Sequence, residues 1–143
     1  MIVPVIDHLP SGFNTLCAEA RAEGYRFVDR MVNEWKAGTT RFDRDGEALL
    51  AAYAEQTLAA IGGITIDPVV AGALRLRRFY VCSAFRSQGI GRQLVQALVA
   101  PHAGRIILVH AGRGSSRFWE AAGFVPDCRE GHSHVLPQAG AGR

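Results

Sequence analysis

Lysine is almost missing from this chain: of its 143 residues only Lys36 is one, so the 16 basic side chains are otherwise arginines. The formal net charge of +3 is therefore carried by guanidinium groups, which suits an anionic cofactor or substrate but is too small to define a nucleic-acid surface. Cysteine is scarce too. Cys17, Cys82 and Cys128 are far apart, odd in number and form no Cys-x-x-Cys pair, which excludes a disulfide framework and a zinc knuckle and fits a reduced, cytoplasmic protein. No apolar run approaches the roughly 20 residues needed to cross a bilayer, so no membrane partner is expected. The opening Met-Ile-Val-Pro-Val-Ile-Asp lacks the basic segment and long apolar stretch of a secretory signal. There is no internal repeat and no low-complexity tract. A P-loop is excluded because no Gly-Lys-Ser/Thr occurs, and a dinucleotide fingerprint because its third glycine is lacking.

What is present is globular composition, 48% hydrophobic and 20% charged, in a length that fits one domain over residues 1–137 with a Gly/Ala-rich tail, 138–143, expected to be frayed. Residues 2–6 read as a first strand. Intermittent helical periodicity over residues 13–35, broken near Gly24, predicts two consecutive helices ended by Gly38. After the turn signal Asp43-Arg44-Asp45-Gly46, residues 47–53 and 57–65 read as an antiparallel pair, and Asp67-Pro68 turns the chain into a strand over residues 74–81. A helix follows to about Ala100, stopped by Pro101 and Gly104. The continuous apolar strand 105–109 then completes a βαβ unit with a parallel pair. A short helix over 115–122, capped by Ser115 and closed by Gly123, precedes Phe124-Val125-Pro126 and a last strand over 132–136.

The stretch 86–91, Arg-Ser-Gln-Gly-Ile-Gly, joins strand 74–81 to the amphipathic helix carrying Ile90, Leu94, Val95, Leu98 and Val99. Its glycines sit at a helix N-terminus, where the first N–H groups have no intrahelical acceptor and the dipole is positive, so backbone alone could hold a phosphate. The pattern Arg/Gln-x-x-Gly-x-Gly between a strand and a helix resembles the acyl-CoA pyrophosphate loop of the GNAT superfamily of N-acetyltransferases. Arg117-Phe118-Trp119-Glu120-Ala121-Ala122-Gly123-Phe124 resembles that family's Ala-x-x-Phe-Tyr-x-x-x-Gly-Phe helix. The two motifs come in the family's order, and the strand order agrees over nearly the whole chain.

The resemblance implies an α/β (α+β) GNAT fold: a mixed, mostly antiparallel central sheet with one splayed parallel pair, flanked by helices. It implies acetyl-CoA as cofactor, with its pyrophosphate on the amides of Ser87, Gln88, Gly89, Ile90, Gly91 and Arg92, aided by the Arg86 and Arg92 side chains. The pantetheine arm is expected along Phe79, Tyr80, Val81 and Cys82, flanked by Ser115 and Phe118, with a backbone N–H at the strand end polarising the thioester. The implied activity is direct acetyl transfer, in a ternary complex, to a primary amine of a small molecule or peptide. Neither nucleic acid nor membrane is an expected partner, and the chain is expected to be a monomer or homodimer. A catalytically weak acyl-CoA-binding or regulatory domain is the alternative.

The sequence departs from the family where a tyrosine often protonates the leaving thiolate: the matching residue is Trp119, which has no titratable proton, and the asparagine expected earlier is Gly112. Solvent, another residue or inefficient transfer are all open at this point. His110, closing strand 105–109, and Tyr80 are the catalytic candidates, with Glu47 and Tyr53 on the meander as further ones. Strand alternation predicts Arg75 and Arg77 on one face and Arg78 with Tyr80 on the other, either as a solvated face or as a contact to an acidic or amino-acid-like acceptor. Cys128, His132 and His134 lack a supporting carboxylate, so no metal site is expected, and Cys82 reads as a small core or cleft-lining residue.

Overall fold

The computed structural model describes residues 1–112, 115–128 and 131–137; the tail expected to fray lies outside them. Among the described residues the strands are β1 (Ile2–Pro4), β2 (Ala48–Ala54), β3 (Thr57–Ile66), β4 (Leu74–Val81), β5 (Ile107–Val109), β6 (Val125–Pro126) and β7 (His134–Leu136). The helices are α1 (Phe13–Ala22), α2 (Phe27–Ala37), α3 (Ile90–Val99) and α4 (Ser116–Ala121). The strands form one sheet in the order β1-β2-β3-β4-β5-β7-β6, antiparallel except for β4 and β5. This is the mixed sheet with a single parallel pair that the sequence implied.

Each layer follows from side-chain periodicity. On one face α1 and α2 bury Phe13, Leu16, Cys17, Ala20, Val28, Met31 and Trp35 against Leu49, Ile61 and Tyr80. On the other, Leu94, Val95 and Leu98 of α3 and Trp119 of α4 pack on Leu74, Leu76, Ile107 and Val109. Each such aliphatic side chain taken out of water stabilises the fold by roughly 1.5–3 kcal/mol. β5 is buried along its length, as an apolar strand covered on both faces should be. Gly62 and Gly63 of β3 let aromatic rings close on the sheet from opposite sides. A Cβ on Gly62 would meet the Phe79 ring at 2.6 Å, and one on Gly63 the Phe42 ring at 2.4 Å.

Two features of β4 decide the shape of the site. Its pairing with β5 ends at Leu76↔Val109, although β4 runs on to Val81, so the parallel pair splays and one edge of residues 77–81 is open. Against β3 the register slips between Ile61↔Tyr80 and Gly63↔Arg77, and Arg78 lies in the left-handed region with φ 61°. This bulge shifts the phase of the strand. Arg77 shares its face with Gly63 and Phe42, and Arg78 reaches Glu34 on α2. Arg75, Arg77, Arg78 and Tyr80 therefore share the α1–α2 face, which corrects the expectation that alternation separates the first two from the last two. Smaller corrections concern ends. β5 and β7 start two residues later than the apolar pattern indicated, and just before them Leu74 N–H donates to Ile106 C=O and Ser133 N–H to Val109 C=O. Ser115 precedes α4 but makes no side-chain cap.

Candidate active site

The open edge of β4, the turn before α3 and the C-terminal end of β5 enclose a cleft of about 1380 Å³ that reaches from the α3 side of the sheet to the α1–α2 side. On the α3 side the turn residues Ser87, Gly89, Gly91 and Arg92 line it, with Ser115 and Phe118 facing them from α4. Gly89 is the N-cap residue of α3 with φ 83°, and no side chain caps the helix. The first amides of α3 are thus open to a ligand, and a Cβ at Gly89 would have nothing within 4 Å. Gly91 is small for a different reason: a Cβ there would sit 2.9 Å from the Phe118 ring and 3.3 Å from Val81 Cγ2. One glycine supplies conformation and access, the other close packing of α3.

Along the open edge, Phe79, Tyr80 and Val81 line the cleft. Cys82 N–H donates to Ala59 C=O on β3, at 2.8 Å. Successive residues of a strand point their backbone groups to opposite sides, so Val81 turns its N–H and C=O toward the splay. The Val81 C=O already accepts Arg86 Nε at 2.9 Å, which leaves the Val81 N–H for a ligand. Arg86 also forms an ion pair with Glu23 at 2.6 Å and lies over the Tyr80 ring, so its charge is committed to α1 rather than aimed at the turn. Arg92 is exposed at the cleft and is the cation placed by the turn itself.

Three side chains named from sequence do not line the cleft. Gln88 donates to Ala84 C=O at 3.3 Å, Ile90 packs into the core beneath α3, and Cys82 is buried with its thiol against Leu58 C=O. Burial pushes the Cys82 thiol up to about 11, with the Glu19 charge adding to the effect, so it is protonated and inert at neutral pH.

Of the two catalytic candidates, His110 is exposed and lines the cleft immediately after β5. Tyr80 is buried, and its hydroxyl lies against Glu19 at 2.6 Å and against Glu23. Burial and the two carboxylates drive its pKa far up, because ionisation would add a third negative charge. One O–H serves only one oxygen at a time. Glu19 also accepts the Ser83 N–H at 2.8 Å, and Glu23 has Arg86. These two glutamates, Glu19 on α1 and Glu23 at its C-cap, were not singled out by the sequence, where nothing links them to residues about sixty positions later. Glu47 and Tyr53 lie elsewhere: Glu47 holds Arg44 and the Ile66 N–H, and Tyr53 donates to Ser11 C=O.

Trp119, at the position of the expected tyrosine, is 5% exposed and packs edge-on against Phe79, Phe118 and Phe124 with ring centroids 4.9–5.4 Å apart. It braces the helix that closes the cleft. His132 and His134 go to separate partners. His134 Nε2 is 3.0 Å from Glu120 and its Nδ1 2.8 Å from Ser133 Oγ, whereas His132 Nε2 is 2.9 Å from Asp67 without hydrogen-bond alignment. Among the described residues no group of three or more His, Cys, Asp or Glu side chains is placed to hold a metal, and no helix is long and apolar enough to cross a membrane.

The splayed parallel pair β4–β5 and the N-terminus of α3, which no side chain caps, thus open onto one cleft. A family model for the acetyltransferase (GNAT) domain matches residues 12–137 of the sequence, and the chain belongs to that family, whose acyl donor is acetyl-CoA. A crystal structure from Exiguobacterium sp. 255-15, provisionally described as an acetyltransferase, is 26% identical and superposes with a TM-score of 0.86 over 99% of this chain and 94% of that one. A GNAT-family structure from Desulfovibrio desulfuricans is 19% identical, with a TM-score of 0.68 and 94% of each chain covered. The PaiA N-acetyltransferase of Thermoplasma acidophilum, solved in complex with coenzyme A, is 18% identical, with a TM-score of 0.63 over 94% of this chain and 95% of that one. No curated protein matches the sequence.

Proposed function

We propose that this chain moves the acetyl group of acetyl-CoA to a primary amine of a small molecule or peptide, with donor and acceptor bound together in the one cleft. The observation that carries the reading is the pairing of the uncapped α3 N-terminus with the open edge of β4 in that cleft. The residues fit the donor. Gly89 leaves room over the first amides of α3 for a pyrophosphate, and Arg92 adds charge beside it. Phe79 and Val81 offer strand-like backbone to the pantetheine amides, and Ser115 and Phe118 close the opposite wall. Acetyl-CoA supplies an activated acyl carbon and a thiolate leaving group. The Val81 N–H, free of a partner in the sheet, is the donor best placed to bear on the thioester oxygen, a contact of the kind worth roughly 2.7–4 kcal/mol in other acyl-transfer sites.

Transfer forms the C–N bond and breaks the C–S bond, so the amine must shed a proton and the thiolate gain one. His110, exposed at the cleft end of β5, is the side chain we assign to that proton traffic. Tyr80 is a poor match, since its proton is held between Glu19 and Glu23. Trp119 offers no titratable proton. That same packing favours one second reading, an acyl-CoA-binding domain with weak turnover.

Release of free CoA thiol from acetyl-CoA, measured over a panel of primary amines with mass detection of the product, separates the two. Amine-dependent release with an acetylated product is the expected result. CoA binding by calorimetry with no amine-dependent release would establish the second reading instead.

A further inference from the structure

Five arginines converge on the part of the cleft that lies across the sheet from the α3 turn: Arg75, Arg77 and Arg78 from β4, and Arg26 and Arg30 from the start of α2. The β4 bulge brings the first three onto one face. They are not a solvated strand surface. The Arg78 side chain is 8% exposed, and the Nε atoms of Arg75, Arg77 and Arg78 are buried without a hydrogen-bond partner among the described residues. Glu34 takes one Arg78 N–H at 3.1 Å, the ion pair that the described residues give this cluster on β4. Among the described residues no Asp or Glu lines the cleft. Burial, followed by the charges of Arg78 and Arg75, lowers the Arg77 pKa to about 10, so it is still a cation at neutral pH.

Buried donors without acceptors, on cations that repel one another, form a site completed by an anion with several oxygens. Guanidinium forks match carboxylate and phosphate equally well in geometry. The donor's pyrophosphate is not the anion concerned, because the α3 turn approaches from the other face of the sheet. We propose that Arg75, Arg77 and Arg78 bind a carboxylate or phosphate carried by the amine acceptor, so that the substrate is a small anionic amine, such as an amino acid or an aminoalkyl phosphate. Held there, the acceptor presents its amine toward the splay between β4 and β5. Polycationic amines are repelled from the same cluster. The inference rests on the acetyl-transfer reading for the word acceptor, but the anion site itself stands on the arginines.

The test has two arms. First, inorganic phosphate and glutarate are titrated by calorimetry into the full chain saturated with CoA; binding without displacement of CoA is expected, and the stronger of the two names the anion. Second, acetylation is compared within matched pairs, O-phosphoethanolamine against ethanolamine and β-alanine against β-alaninamide, with spermidine as a cationic control. The anionic member should lead in kcat/KM by about tenfold or more, the scale of a charge-assisted hydrogen bond. Arg77→Gln and the exposed-rim Arg30→Gln should each erode that lead through the acceptor KM, leaving the KM for acetyl-CoA within about twofold. Failure of both anions to bind, displacement of CoA by them, or equal use of neutral and anionic amines overturns the proposal while leaving acetyl transfer standing. Binding of an anion in the first arm that Arg77→Gln abolishes, with no amine acetylated in the second, sustains the anion site and counts against the transferase reading. The wild-type titration decides the matter even if Arg77→Gln does not fold.

Discussion

His110 has the position and the exposure of a proton carrier, and its side chain braces nothing in the core. His110→Ala should therefore lower kcat by about 10²-fold, the low end for general acid–base groups, while the calorimetric Kd for CoA stays nearly unchanged. Unchanged turnover would remove His110 from the mechanism. Glu23 makes a different kind of statement. The hydrogen bond from Arg86, followed by the one from Tyr80, lowers its carboxyl below the ordinary value of 4.5. A group depressed in the folded state stabilises it above its unfolded pKa, and that contribution is lost as pH falls through the lower folded value. Thermal melts of Glu23→Gln should lie below wild type at pH 7 and converge with it below pH 4.5, at the acid end of the scan. A gap independent of pH would mean that the ion pair with Arg86 adds nothing. Neither role of Glu23 was readable from the sequence, because its partners arrive from β4 and the loop after it, brought together only by the packing of α1.

The turn and helix 86–99 separate two demands that a sequence pattern merges. Gly89 needs the left-handed region and open space, so Gly89→Glu should abolish detectable CoA binding through charge and obstruction. Its cost in stability should be only about 1–2 kcal/mol of backbone strain. Gly91 needs no special φ, but a Cβ there would press on the Phe118 ring at 2.9 Å, so Gly91→Ala should cost about 1–3 kcal/mol by overpacking against Phe118 and lower the melting temperature. If Gly89→Glu bound CoA as wild type does, the site would have to be moved off α3. This element was legible because its signals are local: a strand of the right length, glycines, then apolar residues three and four apart. β4 was legible as a strand, Leu74–Val81, but not in its facing. The bulge is centred on Arg78, a residue whose type announces no positive φ, and a one-residue slip moves every later side chain to the other side. Trp119 was visible as a missing tyrosine, whereas its place in an aromatic cluster with Phe79, Phe118 and Phe124 is a tertiary fact.

Across the whole molecule the sheet acts as a partition, opened where β4 and β5 splay apart. The α3 turn approaches that opening from one face and the arginines of β4 and α2 from the other, and both line the same cleft. If the two faces serve different substrates, perturbations on them should act on different Michaelis constants and combine without coupling. Arg92→Ala should raise the KM for acetyl-CoA and leave that of an anionic acceptor unchanged, and Arg77→Gln should do the reverse. Sites that share no partner add in free energy to within about 0.3–0.5 kcal/mol, so the double variant should lose kcat/KM by the product of the single effects. The measurement is a steady-state double-mutant cycle with each substrate varied at saturating levels of the other. A coupling energy well above that margin would show that Arg92 and Arg77 reach a common ligand across the splay, and the division of the cleft into a donor face and an acceptor face would fail.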